Sequence, residues 1–225
     1  MLLIRHGQTT ANRDGILVGR AARIGLDQFG VRQASALASR LAGVRLVAVV
    51  SGPLRRCRQT ADALMAVDGR PEITIDYRLT ECDYGEWSGR SVRDLARDRL
   101  WRTVQTHPSA VTFPGGESMR AVQARAVDAV REHDATVSRA AGSRAVWAVV
   151  SHGDVIKTVV ADALGMHLDL FQRLIITPAS VTVVRYTDRR PFVVKLNDTD
   201  GELSWLRSAG TASGDGEVGG GSGWS

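Results

Sequence analysis

Hydrophobic positions divide the chain into strand-like and helix-like stretches. Four runs are dense in β-branched residues or leucine: Leu2 to Ile4, Leu46 to Val50, Ala145 to Val150 and Val181 to Tyr186. The second and third read Leu-Val-Ala-Val-Val and Ala-Val-Trp-Ala-Val-Val, apolar throughout with no alternation. A strand with one wet face alternates, whereas a strand covered on both faces does not, so these two belong inside a mainly parallel sheet. Between them the apolar spacing changes to that of helices. Positions 34, 37, 38 and 41 share one face of a helix over Gln28 to Leu41, with Gly43 as its expected cap. Pro53 to Met65 opens with a proline, which a first helical turn tolerates. Ser118 to Val137 is long and amphipathic, and Asp154 to Leu164 stops before Gly165. Val181 to Tyr186 and Phe192 to Leu196, on either side of Asp188-Arg189-Arg190, have the pattern of a hairpin. Strands alternating with helices predict a layered α/β fold.

With 225 residues, of which 44% are hydrophobic, the chain is long enough for one sizeable core and too apolar to be disordered throughout. From Ser208 onward the composition changes: 18 residues hold seven glycines and four serines with no apolar period. The expected organisation is one domain over 1–207 and a flexible tail over 208–225. No segment approaches the roughly 20 apolar residues that span a bilayer, and Met1 to His6 lacks the order of a signal peptide. Cys57 and Cys82 form no close pair, which fits buried packing in a reducing cytoplasm.

The formal charge is +5, and only Lys157 and Lys195 among the 29 basic residues are lysines. The arginines are spread out and aromatics make up 5%, so neither clustering nor stacking points to a nucleic acid. Most of them read as a solvated surface; those beside strand ends need separate treatment.

Ligands of open α/β sheets bind beyond the carboxyl ends of the strands. There the first strand ends in Arg5-His6-Gly7, the second in Ser51-Gly52-Pro53-Leu54-Arg55-Arg56, and the third in Ser151-His152-Gly153. The last two run into helices, whose first N–H groups and positive dipole end favour an anion. A glycine after each histidine would let a ligand approach the backbone, or permit a positive φ. Two histidines and an arginine pair therefore converge on one edge.

These residues belong to a longer ordered set. It comprises Arg5-His6-Gly7-Gln8-Thr9 with Asn12, Leu26-Asp27-Gln28-Phe29-Gly30 with Gln33-Ala34, and Ser51 through Ala61. It continues with Leu79-Thr80-Glu81-Cys82-Asp83-Tyr84-Gly85-Glu86-Trp87-Ser88-Gly89, Phe113 to Ser118 and Ser151-His152-Gly153. In that order the motifs resemble the histidine phosphatase superfamily, also called phosphoglycerate mutase-like. The resemblance implies a three-layer α/β sandwich: a mainly parallel central sheet, an antiparallel edge strand, and helices on both faces.

It also implies phosphoryl transfer through a phosphohistidine. His6 matches the nucleophile, and its neighbours Arg5 and Arg56 are expected to keep it neutral by lowering its pKa. One ring nitrogen must be held by an acceptor, with a backbone carbonyl near Gly7 as candidate. Arg5, Arg56 and His152 match the phosphate pocket, with Asn12 and the Gly153 N–H in support. Arg55 and Arg58 fall on other helix faces and read as surface residues or as supports behind the pocket. Glu81 matches the general acid and base, with Asp83 and Glu86 as fallbacks. Arg20, Trp87 and Glu117 are candidate substrate contacts. His107, His133 and His167 read as surface residues.

The compact Glu81 to Ser118 segment favours a phosphatase acting on small phosphorylated metabolites over a phosphoglycerate-type mutase or a weakly catalytic phospho-ligand binder. No cofactor and no metal is implied: the histidines lack HExxH-type spacing, and flanking arginines disfavour a cation. The expected setting is cytoplasmic, without nucleic acid or membrane, and self-association as a homodimer or higher homo-oligomer is open but carried by no particular residue.

Overall fold

The computed structural model describes residues 1–67 and 69–201. The expected tail over 208–225, and the boundary before it, lie outside the described residues. Among the described residues six strands form one sheet: β1 (Leu2–Arg5), β2 (Leu46–Ser51), β3 (Ile73–Ile75), β4 (Val146–Ser151), β5 (Val181–Arg185) and β6 (Phe192–Asp198). Their order across it is β3-β2-β4-β1-β5-β6. The first four neighbours pair in parallel; β5 runs antiparallel to β1, and β6 antiparallel to β5. That hairpin is the antiparallel edge. The strand β3 escapes the hydrophobic pattern because it is three residues long and half exposed.

Seven α-helices among the described residues join the strands: α1 (Thr10–Arg13), α2 (Gln28–Arg40), α3 (Arg55–Leu64), α4 (Val92–Leu95), α5 (Trp101–Thr106), α6 (Met119–Ala141) and α7 (Gly153–Ala163). Alternate side chains of the sheet feed two cores. Leu2, Ile4, Val49 and Ala148 pack with Leu37, Leu41, Ala61 and Leu64 of the α2–α3 layer. On the other face Leu3, Val50, Trp147 and Val149 pack with Val122, Ala126, Val130 and Ile156 of α6 and α7. The buried strands are apolar throughout because each face meets a helix layer.

Helix ends depart from the sequence pattern where caps decide them. Leu41, not Gly43, caps α2, and Pro53 lies outside α3, whose N-cap is Leu54. The long helix α6 starts after Ser118, whose side chain accepts from the Ala121 N–H, and runs to Gly142 at φ 89°. Its last residue, Ala141, lies four beyond the expected end, and the positive φ of the next residue stops it.

Candidate active site

Strand register brings the predicted residues together. Arg5 lies opposite Ser151, and Ser51 opposite Val150, so the chain leaves β1, β2 and β4 at one level. The His6 N–H bonds the Ser151 carbonyl at 3.0 Å, and the His6 and His152 ring centroids sit 5.2 Å apart, edge to face. His6 lines a cavity of about 440 Å³, whereas His152 is fully buried and is not part of its lining. Arg5, His6, Asn12, Arg56, Glu81 and Gly153 all line the cavity.

His6 is 2% exposed, and its Nδ1 donates to the Gly7 carbonyl at 2.7 Å. That bond leaves Nε2 with its lone pair, 3.3 Å from Arg56 Nε. Burial holds the His6 pKa well below the usual value, reinforced by Arg56 and then Arg5. The direction matches the sequence expectation, but desolvation, not the arginines, is the larger cause.

Arg56 is 1% exposed, whereas Arg55 and Arg58 on the same helix are exposed as expected. Its buried charge is held by the Gly19 carbonyl at 2.7 Å and the Ala21 carbonyl at 3.4 Å. Arg5 donates from Nη1 to the Ile176 carbonyl at 2.5 Å, while its buried Nε has no hydrogen-bond partner. An orphaned guanidinium donor is costly unless a ligand completes it. Asn12 spends its carboxamide oxygen on the Thr9 N–H and hydroxyl, which fixes the side chain and leaves its amide hydrogens for the cavity.

Neither glycine after a histidine has a positive φ. A Cβ on Gly7 would come within 2.6 Å of the Gly30 carbonyl at the start of α2, and one on Gly153 within 3.4 Å of the Arg5 guanidinium. Close packing, not turn geometry, demands Gly7; the contact at Gly153 is an ordinary one. The Leu26-to-Gly30 motif is explained in the same way. Asp27 caps α2 through the Gly30 N–H and accepts from Gln8 Nε2, while Gln33 accepts from the Gln8 N–H. These bonds hold the loop behind His6.

Glu81 reaches the cavity from the loop after β3. Its Oε1 accepts from the Cys82 N–H at 3.0 Å and its Oε2 lies 3.7 Å from His152 Nδ1. Burial, then Asp154, raises its pKa from 4.5 to about 7, against the opposing pull of Arg56 and Arg5. The fallback carboxylates lie elsewhere: Asp83 is outside the lining and accepts from the Gly85 N–H, and Glu86 is exposed.

Several residues with no assigned role build this arm. Arg125 of α6 donates to the carbonyls of Arg78 at 2.6 Å, Thr80 at 2.7 Å and Glu81 at 3.1 Å, and grips both Glu117 oxygens. Tyr84 donates to Asp154 at 2.7 Å, and Ser151 Oγ to the Leu79 carbonyl at 2.8 Å. Tyr84 stands inside the quoted motif and Asp154 directly follows Gly153, so both were within reach of inspection. Arg125 was not, because 44 residues of chain separate it from Glu81.

The three suggested substrate contacts lie outside the cavity lining. Trp87 is a core residue, 2% exposed, stacked on Trp101 and edge-on to Phe113. It is too deep to meet a ligand. Arg20 bonds the Glu81 carbonyl at 3.0 Å and Glu117 at 2.8 Å, and Glu117 also accepts from the Asp83 N–H, so both brace the loop. Cys57 and Cys82 are buried free thiols, and Cys57 Sγ contacts the His152 ring. His107 and His167 are exposed; His133 is half-buried, with Nε2 2.9 Å from an Asp76 oxygen.

The profile of the histidine phosphatase superfamily (branch 1) matches residues 1–199. Phosphoserine phosphatase 1 of Hydrogenobacter thermophilus is 30% identical over 201 residues, covering 88% of this chain and 92% of the relative. Fructose-2,6-bisphosphatase TIGAR of Xenopus tropicalis is 34% identical over 131 residues, 57% of this chain and 47% of its own. The chain spans about half the length, 47% to 54%, of several curated relatives it matches. The solved structure of a mycobacterial glucosyl-3-phosphoglycerate phosphatase with VO3 superposes with a TM-score of 0.79 at 27% identity, covering 88% of this chain and 98% of the other. With its family profile matched almost end to end across the described residues, the chain belongs to the histidine phosphatase superfamily.

Proposed function

We propose that the protein hydrolyses phosphomonoesters of small metabolites through a phosphohistidine on His6. The observation that carries this reading is the state of that ring. It is buried and neutral, with Nδ1 tied to the Gly7 carbonyl and Nε2 unprotonated, accepting from Arg56 Nε. Such a nitrogen needs no deprotonation before it attacks.

In the first step Nε2 forms a bond to phosphorus as the ester P–O bond breaks. Glu81, with a pKa near 7, gives its proton to the departing oxygen. In the second step Glu81 takes a proton from water as the water oxygen attacks phosphorus. The P–N bond then breaks, releasing inorganic phosphate and restoring His6. Charge on the phosphoryl oxygens meets Arg5, Arg56 and the Gly153 N–H at the start of α7, while His152 and Asn12 supply neutral donors. Two guanidinia thus fill the neutralising role of a metal ion. Buried free thiols support a cytoplasmic setting.

Brief exposure to a phosphate ester followed by rapid quench should leave acid-labile phosphate on the wild-type chain and none on His6→Ala. Turnover should survive EDTA. Absence of any label, together with no release of phosphate from a panel of phosphorylated hydroxy acids and sugars, would refute the assignment. Transfer of the label to a second hydroxyl in place of water would make the enzyme a mutase.

A further inference from the structure

The lining of the cavity divides by chemistry. Besides the charged groups that would hold a phosphate, two apolar segments line it: Ile16, Leu17 and Val18 after α1, and Leu174, Ile175 and Ile176 before β5. Each is clipped to one of the phosphate-pocket arginines. The carbonyl of Gly19, directly after Val18, accepts from Arg56 Nη2 at 2.7 Å, and the Ile176 carbonyl accepts from Arg5 Nη1 at 2.5 Å. Both segments therefore run beside the two guanidinia, where the carbon side of a phosphate ester must lie. Further bonds hold them in place. The Leu17 N–H donates to the Arg90 carbonyl at 3.0 Å, the Leu17 carbonyl accepts from the Gly89 N–H at 2.7 Å, and the Thr177 N–H donates to Asn197 Oδ1 at 2.6 Å. Their side chains remain partly wet: Ile175 is 67% exposed, and Ile16, Leu17 and Val18 are half-buried.

The rest of the lining is polar but matched within itself. Lys157 donates to Gln172 Oε1 at 3.0 Å, lies 3.8 Å from Asp154 Oδ1 and stands over the Phe171 ring at 5.6 Å. The second Asp154 oxygen accepts from the Tyr84 hydroxyl, and the Thr177 hydroxyl donates to Asn197 Oδ1 at 2.7 Å. Asp154 and Lys157 cancel in charge. Beyond the phosphate position the cavity thus offers apolar surface and no unbalanced charge, and what gains most there is a group that takes apolar surface out of water. We propose that the cavity selects esters of an uncharged, largely apolar alcohol, whose carbons pack on Ile16, Leu17, Val18, Leu174, Ile175 and Ile176 while the phosphate sits on Arg5 and Arg56. This rests on the reading of the cavity as a phosphoryl site and adds what the other half of the ester must be.

The test is a series of straight-chain alkyl phosphates from ethyl to hexyl, whose leaving groups differ little in acidity and mainly in apolar area. In the wild-type chain kcat/KM should rise about two- to fourfold per added methylene, fourfold being full burial. Ile175→Ser, a change at the most exposed of the six positions, should lower the hexyl-to-ethyl ratio about fivefold, and Ile175→Leu should keep it. A carboxylate at the far end of the hexyl chain should erase the gain. A flat series would overturn the proposal, as would a ratio untouched by Ile175→Ser. A carboxylated ester that outperforms hexyl phosphate would also overturn it, since Lys157 would then be reading a second anion. Alkylphosphonates of the same lengths, which cannot be hydrolysed, separate selectivity from activity: their Kd, measured by calorimetry, should fall along the series. A falling Kd without turnover of any ester would refute the hydrolase and leave the apolar site standing. Phosphonates that bind equally at every length, or not at all, would overturn the apolar site itself.

Discussion

Replacing Glu81 by glutamine should make the protein more stable at alkaline pH while making it a poorer catalyst. The Glu81 side chain is 12% exposed, and folding raises its pKa from 4.5 to about 7, chiefly by burial and then by Asp154. The folded chain therefore binds a proton that the unfolded chain has lost throughout that window. Stability contributed by the protonated acid is complete below pH 4.5 and is lost as pH rises through 7. At about 1.4 kcal/mol per tenfold change in proton affinity, the stability lost through this titration is about 1 kcal/mol by pH 5 and about 3 kcal/mol by pH 8. Glutamine resembles the protonated acid, keeps an oxygen for the Cys82 N–H, and never ionises. Urea unfolding of wild type and Glu81→Gln at the two pH values isolates the effect, because other titrations largely cancel in the difference. The advantage of Glu81→Gln should grow by about 2 kcal/mol from pH 5 to pH 8. Turnover of alkyl phosphates should fall more than that of aryl phosphates, whose leaving groups need no proton. A difference in stability that does not change with pH would refute the reasoning, since it would mean that folding leaves the Glu81 proton affinity unaltered.

Asp154→Asn removes the second cause of the raised Glu81 pKa, so the alkaline limb for alkyl phosphates, expected near pH 7, should move toward acid pH in a kcat profile. Arg125→Ala strips donors from the carbonyls of Arg78, Thr80 and Glu81 and leaves Glu117 with less compensation; a loss of about 3 kcal/mol in denaturant unfolding is expected. Arg125→Lys should rescue little of it, because a single ammonium cannot span the same acceptors. Gly85→Ala meets both a φ of 51° and a collision with the Pro114 carbonyl. A drop of at least about 2 kcal/mol is expected, read as a lowered midpoint in thermal circular dichroism.

The apolar runs at Leu46 to Val50 and Ala145 to Val150 by themselves determined that buried parallel strands form, since only a sheet covered on both faces tolerates such a pattern. The ordered motifs placed His6, Arg56 and His152 after strand ends, where all three stand. Pattern also separated Arg56 from Arg55 and Arg58, because helical periodicity turns neighbours to different faces. Local chemistry was less legible. Trp87 sits in a motif and has the chemistry of a binding residue, yet its ring fills the core against Trp101 and Phe113. The glycine after His6 owes its presence to the Gly30 carbonyl, a contact that no local pattern records. Only the tertiary structure decided how far each pKa moves, because desolvation depends on atoms brought from everywhere in the chain. Only it could bring Arg125 to the Glu81 loop and the Cys57 thiol to His152. Spacing along one element reports which face a residue shares; what that face meets is set by other elements folding against it.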